Sequence, residues 1–202
     1  ENKVDPERLF DAYKEAAFLY SIRLMLGMHR GQWFFLCERE LVEALGAIKG
    51  ARVLDYGCGV SDMGLILAKL GASVTLADLD TDMLRFAEWR YSVRNLDVKI
   101  VRIKGTETVP ELPAGSYDLI IASEVLEHFR RPLALIRTLS ASLRQDGILF
   151  CSMGMGFDRE VGGDHLAESV AEGQSDEYAD YFRRTFQLIS KKPGQEWIFA
   201  KK

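Results

Sequence analysis

Between Ala51 and Ser61 the chain reads Ala-Arg-Val-Leu-Asp-Tyr-Gly-Cys-Gly-Val-Ser, passing from buried strand to exposed glycine turn within a few residues. Val53 and Leu54 have the character of a buried strand end. Asp55 puts a carboxylate at its carboxyl end, and Gly57 and Gly59 let the backbone turn where a side chain would obstruct a ligand. Ser61 suits the N-cap of a helix over the run Met63 to Leu70, which ends at Gly71, a natural C′ residue.

From residue 51 onward strand and helix patterns alternate, which implies a parallel sheet with helices on its faces. Strands are expected at Arg52 to Asp55, Ser73 to Ala77, Val98 to Ile103, Tyr117 to Ala122 and Ile148 to Ser152. Helices are expected from Ser61 to Leu70, from a cap at Asp80 or Thr81 to Arg94, and from Pro132 to Leu143. Pro110, Pro113 and Gly115 make Lys104 to Ser116 mostly loop. Gln145-Asp146-Gly147 is read as a turn, and beyond the glycine-rich stretch Met153 to Asp164 a helix over Asp176 to Arg184 leads to two strands, Phe186 to Ser190 and Glu196 to Ala200. Pro193-Gly194 folds these last two into an antiparallel hairpin.

Ahead of the first strand, Asp5-Pro6 opens a helix carrying Leu9, Phe10, Tyr13, Ala17, Tyr20 and Leu24 at helical spacing, and Trp33 to Leu45 reads as a second. Helices there can cover the mouth of a ligand site. Tyr13, Tyr20 and Trp33 are read first as core aromatics.

With 202 residues and 48% hydrophobic content the chain can bury one full core. Cys37, Cys58 and Cys151 are odd in number and far apart, which excludes a disulfide framework and a zinc motif and fits a reducing cytoplasm. Apolar runs stay at strand length, well short of the roughly 20 residues a bilayer needs, so no membrane span is expected. The chain begins at Glu1, which leaves an upstream targeting segment open. A net charge of −4 speaks against a nucleic-acid partner. Between Asp158 and Asp180, eight acidic residues stand against one arginine; this is read as a solvated acidic face.

A glycine turn after a first strand serves several nucleotide ligands, so the flanks must discriminate. A dinucleotide site needs a third small residue where this chain has Asp62, a poor neighbour for pyrophosphate, and no Gly-Lys-Ser/Thr phosphate loop occurs. Asp55 suits a ligand with an ammonium group. Asp78, at the end of the second strand, can accept hydrogen bonds from both ribose hydroxyls of a nucleoside; its competing role as a helix N-cap is already met by Asp80 and Thr81.

Four stretches in order carry a family resemblance: Val53-Leu-Asp-Tyr-Gly-Cys-Gly59, Val74-Thr-Leu-Ala-Asp78, Ser116-Tyr-Asp-Leu-Ile-Ile-Ala-Ser-Glu-Val-Leu-Glu-His128 and Leu143-Arg-Gln-Asp-Gly-Ile-Leu149. Together they make the chain resemble the class I S-adenosylmethionine-dependent methyltransferases, in particular the small-molecule branch with the ubiquinone-biosynthesis-like enzymes. The resemblance spans residues 50 to 155 of the chain. It implies a Rossmann-like α/β fold: a mostly parallel seven-stranded sheet with an antiparallel final hairpin, and an N-terminal helical cap over residues 1–50 joined to a cofactor-binding domain over 51–202. It also implies S-adenosylmethionine as cofactor and S-adenosylhomocysteine as product. Asp55, Gly57, Cys58 and Gly59 would hold the methionine end and Asp78 the ribose. Leu79 and Met83 would flank the adenine, with Ser123 and Glu124 beside the sulfonium. Where the family often carries Gly-Asp after the third strand, this chain has Gly105-Thr106-Glu107, so Thr106 or Glu107 must make the adenine contact.

Methyl transfer from a sulfonium requires the protein to align an acceptor and, where needed, to take its proton. His128 and His165 are the candidate bases because imidazole titrates near neutrality, with His29 a more distant third. On a helix, Glu124, Glu127 and His128 would share a face that His165 could complete. Such a set could hold a divalent cation, resembling the metal-dependent ubiquinone O-methyltransferases and small-RNA 2′-O-methyltransferases. The metal-free reading is preferred, since Leu-Glu-His after the fourth strand also occurs in many metal-free relatives. The expected function is therefore methyl transfer to an oxygen or nitrogen of a small-molecule acceptor, with oligomeric state open and a homodimer as the case to test. The alternatives are a non-catalytic subunit of the same fold that binds a partner, and a nicotinamide-dependent oxidoreductase, which Asp62 and the final hairpin disfavour.

Overall fold

The structure is a computed structural model that describes residues 39–105, 108–152, 165–191 and 196–202. The expected helix from Asp5, the start of the Trp33 helix with Tyr13, Tyr20 and His29, the Thr106 and Glu107 contact, and the glycines of Met153 to Asp164 lie outside these residues. Among the described residues no helix is long and apolar enough to cross a membrane.

The described elements run α1 (Arg39–Leu45), β1 (Arg52–Tyr56), α2 (Asp62–Lys69), β2 (Ser73–Leu79), α3 (Asp82–Ser92), β3 (Val98–Ile103) and β4 (Tyr117–Ala122). A 3-10 turn (Leu126–His128) follows, then α4 (Pro132–Ser142), β5 (Leu143–Ser152), α5 (Ala167–Gly173), α6 (Asp176–Thr185), β6 (Phe186–Lys191) and β7 (Glu196–Lys201). The strands form one seven-stranded sheet in the order β3-β2-β1-β4-β5-β7-β6. β1 to β5 pair in parallel, and β7 lies antiparallel to both β5 and β6, as the resemblance implied.

Alternation along each strand sends side chains to two cores. Val53, Leu76, Leu119, Ile121, Ile148 and Phe150 pack with Leu41, Leu65, Leu84 and Tyr91 on the face covered by α1, α2 and α3. Leu54, Ala77, Ile120, Leu149 and Phe199 pack with Leu135, Leu139, Tyr178 and Phe182 on the other. Chain order reverses between β1 and β4, and a crevice opens outside the carboxyl ends of strands at such a switch point.

Several expectations need correcting. Gln145-Asp146-Gly147 is an irregularity inside β5 rather than a turn before it: Tyr117 pairs with Leu143, the register then shifts, and Leu119 pairs with Ile148. Asp146 takes up the extra residues at φ 60°. Helix α5 was not foreseen, because its sequence, Ala-Glu-Ser-Val-Ala-Glu-Gly, holds too few apolar residues for a stripe. Its Ser169 hydroxyl donates to the Leu126 carbonyl at 2.7 Å, and its Glu172 accepts from the Leu133 amide at 2.8 Å. Part of the acidic segment thus caps α4 instead of facing only solvent.

Candidate functional site

A cleft at the carboxyl ends of β1, β2 and β4 is lined by Asp55, Gly57, Cys58, Gly59, Asp78, Leu79, Met83, Ser123, Glu124 and His128, with Val125 and Phe129 beside them. Every expected cofactor residue within the described part of the chain borders this cleft.

Asp55, the penultimate residue of β1, is buried, at 4% exposure, and its Oδ2 accepts from the Ser61 hydroxyl at 2.9 Å and the Gly64 amide at 3.2 Å. Burial pushes its carboxyl up to about 7; the bonds from Ser61 and Gly64 pull against that, and the Asp78 and Asp62 charges add to it. Asp78 is held by the Gly59 amide and its own Leu79 amide, both at 2.6 Å, and its carboxyl is also raised by burial. A carboxylate has about four lone-pair sites, so these two bonds leave Asp78 with acceptor capacity for a ribose. Its amide partners are Gly59 of the turn and Leu79 of its own strand rather than the following helix, against the N-cap role.

The Cys58 thiol, on the cleft wall, is pushed well up by burial, reinforced by Asp78 and Asp55. Asp62, at the start of α2, is paired. Arg90 Nη1 lies 2.6 Å from it, both side chains are 12% exposed, and the same nitrogen donates to the Val60 carbonyl at 2.6 Å. Its charge is matched inside the protein.

Ser61 stands at the N-cap of α2 but does not cap it: its backbone is left-handed, φ 54° and ψ 51°, and its hydroxyl turns back to Asp55. Three neighbours escaped sequence reasoning, namely Gly64, Tyr91 and Arg90. For Gly64 a signal existed, since glycine inside a helix is costly unless something approaches closely. A Cβ there would lie 2.6 Å from Ser61 Oγ and 2.7 Å from Asp55 Oδ2. Tyr91 and Arg90 carry no local signal.

On the β4 side, Glu124, Glu127 and His128 do not share a helical face. Glu124 sits at φ 53° before a single 3-10 turn, exposed toward the cleft, its amide donating to Ser152 Oγ at 2.6 Å. Glu127 points the other way, fully buried. Glu124 at φ 53° and Val125 at φ −131° lie outside that turn, so no helical register carries Glu124 onto the face of Glu127. The second half of the expectation fares better: ligand atoms of Glu127, His128 and His165 all lie within 4.8 Å of one another. Glu127 Oε1 is 4.0 Å from His128 Nε2, and the two rings meet edge to face with centroids 5.4 Å apart. His165 is placed by the Leu166 amide, which donates to the Glu127 carbonyl at 3.1 Å.

Comparison with known proteins agrees with this geometry. Residues 30–193 match the family described as "Methyltransferase domain". A ubiquinone biosynthesis O-methyltransferase from Xanthomonas campestris is 36% identical over 113 residues, 56% of this chain and 47% of that protein. The chain thus spans about half the length of the curated relatives it matches. The crystal structure of an S-adenosylmethionine-dependent methyltransferase from Mesorhizobium loti superposes with a TM-score of 0.56 at 18% identity, covering 83% of this chain and all of the other. The [4+2]-cyclase SpnF superposes with a TM-score of 0.54 at 23% identity over 74% of this chain and 55% of its own. Such likenesses establish the fold, and the cyclase is a reminder that fold alone does not name a reaction.

Proposed function

Since the chain belongs to the methyltransferase-domain family, we propose that it transfers a methyl group from S-adenosylmethionine to a hydroxyl oxygen of a small-molecule acceptor. The cleft's chemistry suits that cofactor: two buried carboxylates, Asp55 and Asp78, are raised by their shared burial, and Arg90 beside the turn is already committed to Asp62. Leu79, Met83 and Phe129 give it an apolar wall. Asp55 and the Gly57–Gly59 turn would hold the cationic amino-acid end, Asp78 the ribose, and Leu79 and Met83 the adenine. When bound, the cofactor supplies a methyl group on sulfonium, already activated for in-line displacement.

The observation that carries the choice of a hydroxyl is His128, on the cleft wall with its Nε2 4.0 Å from the buried Glu127 carboxylate and His165 against its ring. A hydroxyl acceptor must lose a proton as it is methylated, and an imidazole braced by a carboxylate is suited to take it. A neutral amine would need no such group before attack. The free thiols of Cys58 and Cys151 go with a cytoplasmic setting.

Incubation with methyl-labelled S-adenosylmethionine and separate pools of small phenols, aliphatic alcohols and amines tests the reading. Label is expected in hydroxyl pools and should fall sharply in His128→Ala; label in amines alone would overturn the oxygen assignment, and no binding of S-adenosylhomocysteine would overturn the whole. The clustering of Glu127, His128 and His165 favours one second reading, in which a divalent cation held by them lowers the acceptor's pKa. Activity that disappears in EDTA and returns with Mg²⁺ would select it.

A further inference from the structure

Ser61 is a non-glycine residue held at φ 54° with its side chain fully buried, in a turn where glycine would adopt that backbone freely. Its hydroxyl is what the strain secures. It donates to Asp55 Oδ2 at 2.9 Å and lies 3.2 Å from the hydroxyl of Tyr91, itself fully buried on α3. The bonds from Ser61 and Gly64 fall on the same Asp55 oxygen, which fixes the rotation of the carboxylate. Gly64 keeps the cluster possible, since a Cβ would come within 2.9 Å of the Tyr91 hydroxyl as well. The preceding residue on α3, Arg90, grips Val60 and Asp62 on either side of Ser61.

We propose that Tyr91 is a positioning residue for the methyl-donor cradle: acting through Ser61, it sets the orientation of Asp55 and thereby the affinity for the cofactor's amino-acid end. This rests on the reading that the cleft binds S-adenosylmethionine. Tyr91 does not line the cleft, and its own phenol is raised by burial and stays protonated, available as a hydrogen-bond partner. The groups facing Asp55 are Asp78 from β2, Cys58 from the turn, Ser61, Asp62 and Gly64 from the start of α2, and Tyr91 with Arg90 from α3. Of these, Ser61 is the side chain whose hydrogen bond favours the ionised carboxylate. Loosening Ser61 therefore raises the pH at which Asp55 ionises.

Calorimetric titration with S-adenosylhomocysteine on the wild type, Tyr91→Phe, Ser61→Gly and the double variant, from about pH 5.5 to about pH 8.5, tests this. Tyr91→Phe should weaken binding about five- to tenfold near neutrality, as loss of one hydrogen bond in a charged network does. It should also move the midpoint of the pH dependence upward and leave the acceptor KM unchanged. Ser61→Gly relieves the strained backbone and so should fold at least as well, yet show the same two effects; the double variant should be no worse than Ser61→Gly alone. Tyr91→Phe that lowers the melting temperature without moving affinity or midpoint would overturn the inference. So would additive losses in the double variant. No binding by the wild type would overturn the parent reading and this one with it, whereas normal wild-type binding beside unaltered variants would overturn this one alone.

Discussion

Gly57 faces Val125 so closely that a Cβ on the glycine would sit 2.2 Å from Val125 Cγ2. The turn after β1 and the segment after β4 therefore meet closely, and both Gly57 and Val125 border the cleft.

The first prediction follows from that contact. Gly57→Ala adds a clash to a left-handed backbone, φ 65°, and overpacking of this kind costs about 1–3 kcal/mol, or roughly 5- to 150-fold in affinity if expressed at the site. Val125→Ala alone should bind S-adenosylhomocysteine nearly as the wild type does. The pair should recover much of what Gly57→Ala loses; failure of any recovery in a calorimetric titration would mean that backbone strain, and not Val125, is the obstacle.

The second concerns pH. Asp55 ionises near 7 in the ligand-free protein because burial disfavours its charge, whereas an unfolded chain would ionise it near 4. The folded state thus holds one more proton between those values, so this group's contribution to stability is full below about pH 4 and is lost as pH rises through about 7. A cationic ligand reverses the preference by favouring the carboxylate. Affinity for S-adenosylhomocysteine should rise from about pH 6 to about pH 8, and Asp55→Asn should flatten that rise as well as weaken binding. A pH-independent wild type would contradict the assignment of Asp55 to the ligand's cationic end.

For the chemical step, His128→Ala should lower kcat about 100-fold or more, the usual contribution of a general base, while cofactor affinity stays within a few-fold. His165→Ala should lose less, since it lies against the ring of His128 and does not line the cleft. EDTA should leave the wild type active. Equal loss in kcat and in S-adenosylhomocysteine affinity for His128→Ala would show that the ring shapes the cofactor site instead of serving the acceptor.

A stability prediction comes from Asp118, which ties three strands together. Its carboxylate accepts from the Arg52 amide at 2.7 Å, from Arg52 Nε at 3.1 Å and from Arg144 Nε at 2.5 Å. Burial raises its carboxyl, but the Arg52 and Arg144 bonds outweigh that and bring it down to about 2. The stabilisation is therefore present above about pH 4 and lost as pH falls toward 2. Asp118→Asn should cost about 1–3 kcal/mol in urea unfolding at pH 7, with the gap to wild type closing near pH 2.

Much of the fold was legible because its signals are local. Each parallel strand is a short, largely apolar run bounded by turn residues, and the helices between carry apolar stripes, so period and punctuation were enough to locate β1 to β4 along the chain. The exceptions are instructive. Helix α5 has little apolar periodicity and exists because Ser169 and Glu172 reach Leu126 and Leu133, contacts 43 and 39 residues distant. The early start of β5 depends on pairing with Tyr117, another non-local bond.

At the site the division is the same. The residue types at Asp55, Gly57, Gly59 and Asp78 and their places at strand ends named the cleft from the sequence alone, because a parallel strand must deliver its carboxyl end to one edge of the sheet. Tertiary structure decided what those residues do to one another. It took Ser61 from helix cap to partner of Asp55, set Tyr91 and Arg90 of α3 around the turn, and split Glu124 from Glu127 while bringing His165 to His128. Hydrogen bonds and burial between elements 30 or more residues apart leave no periodic trace in a sequence, and they fix the orientation and charge of each group.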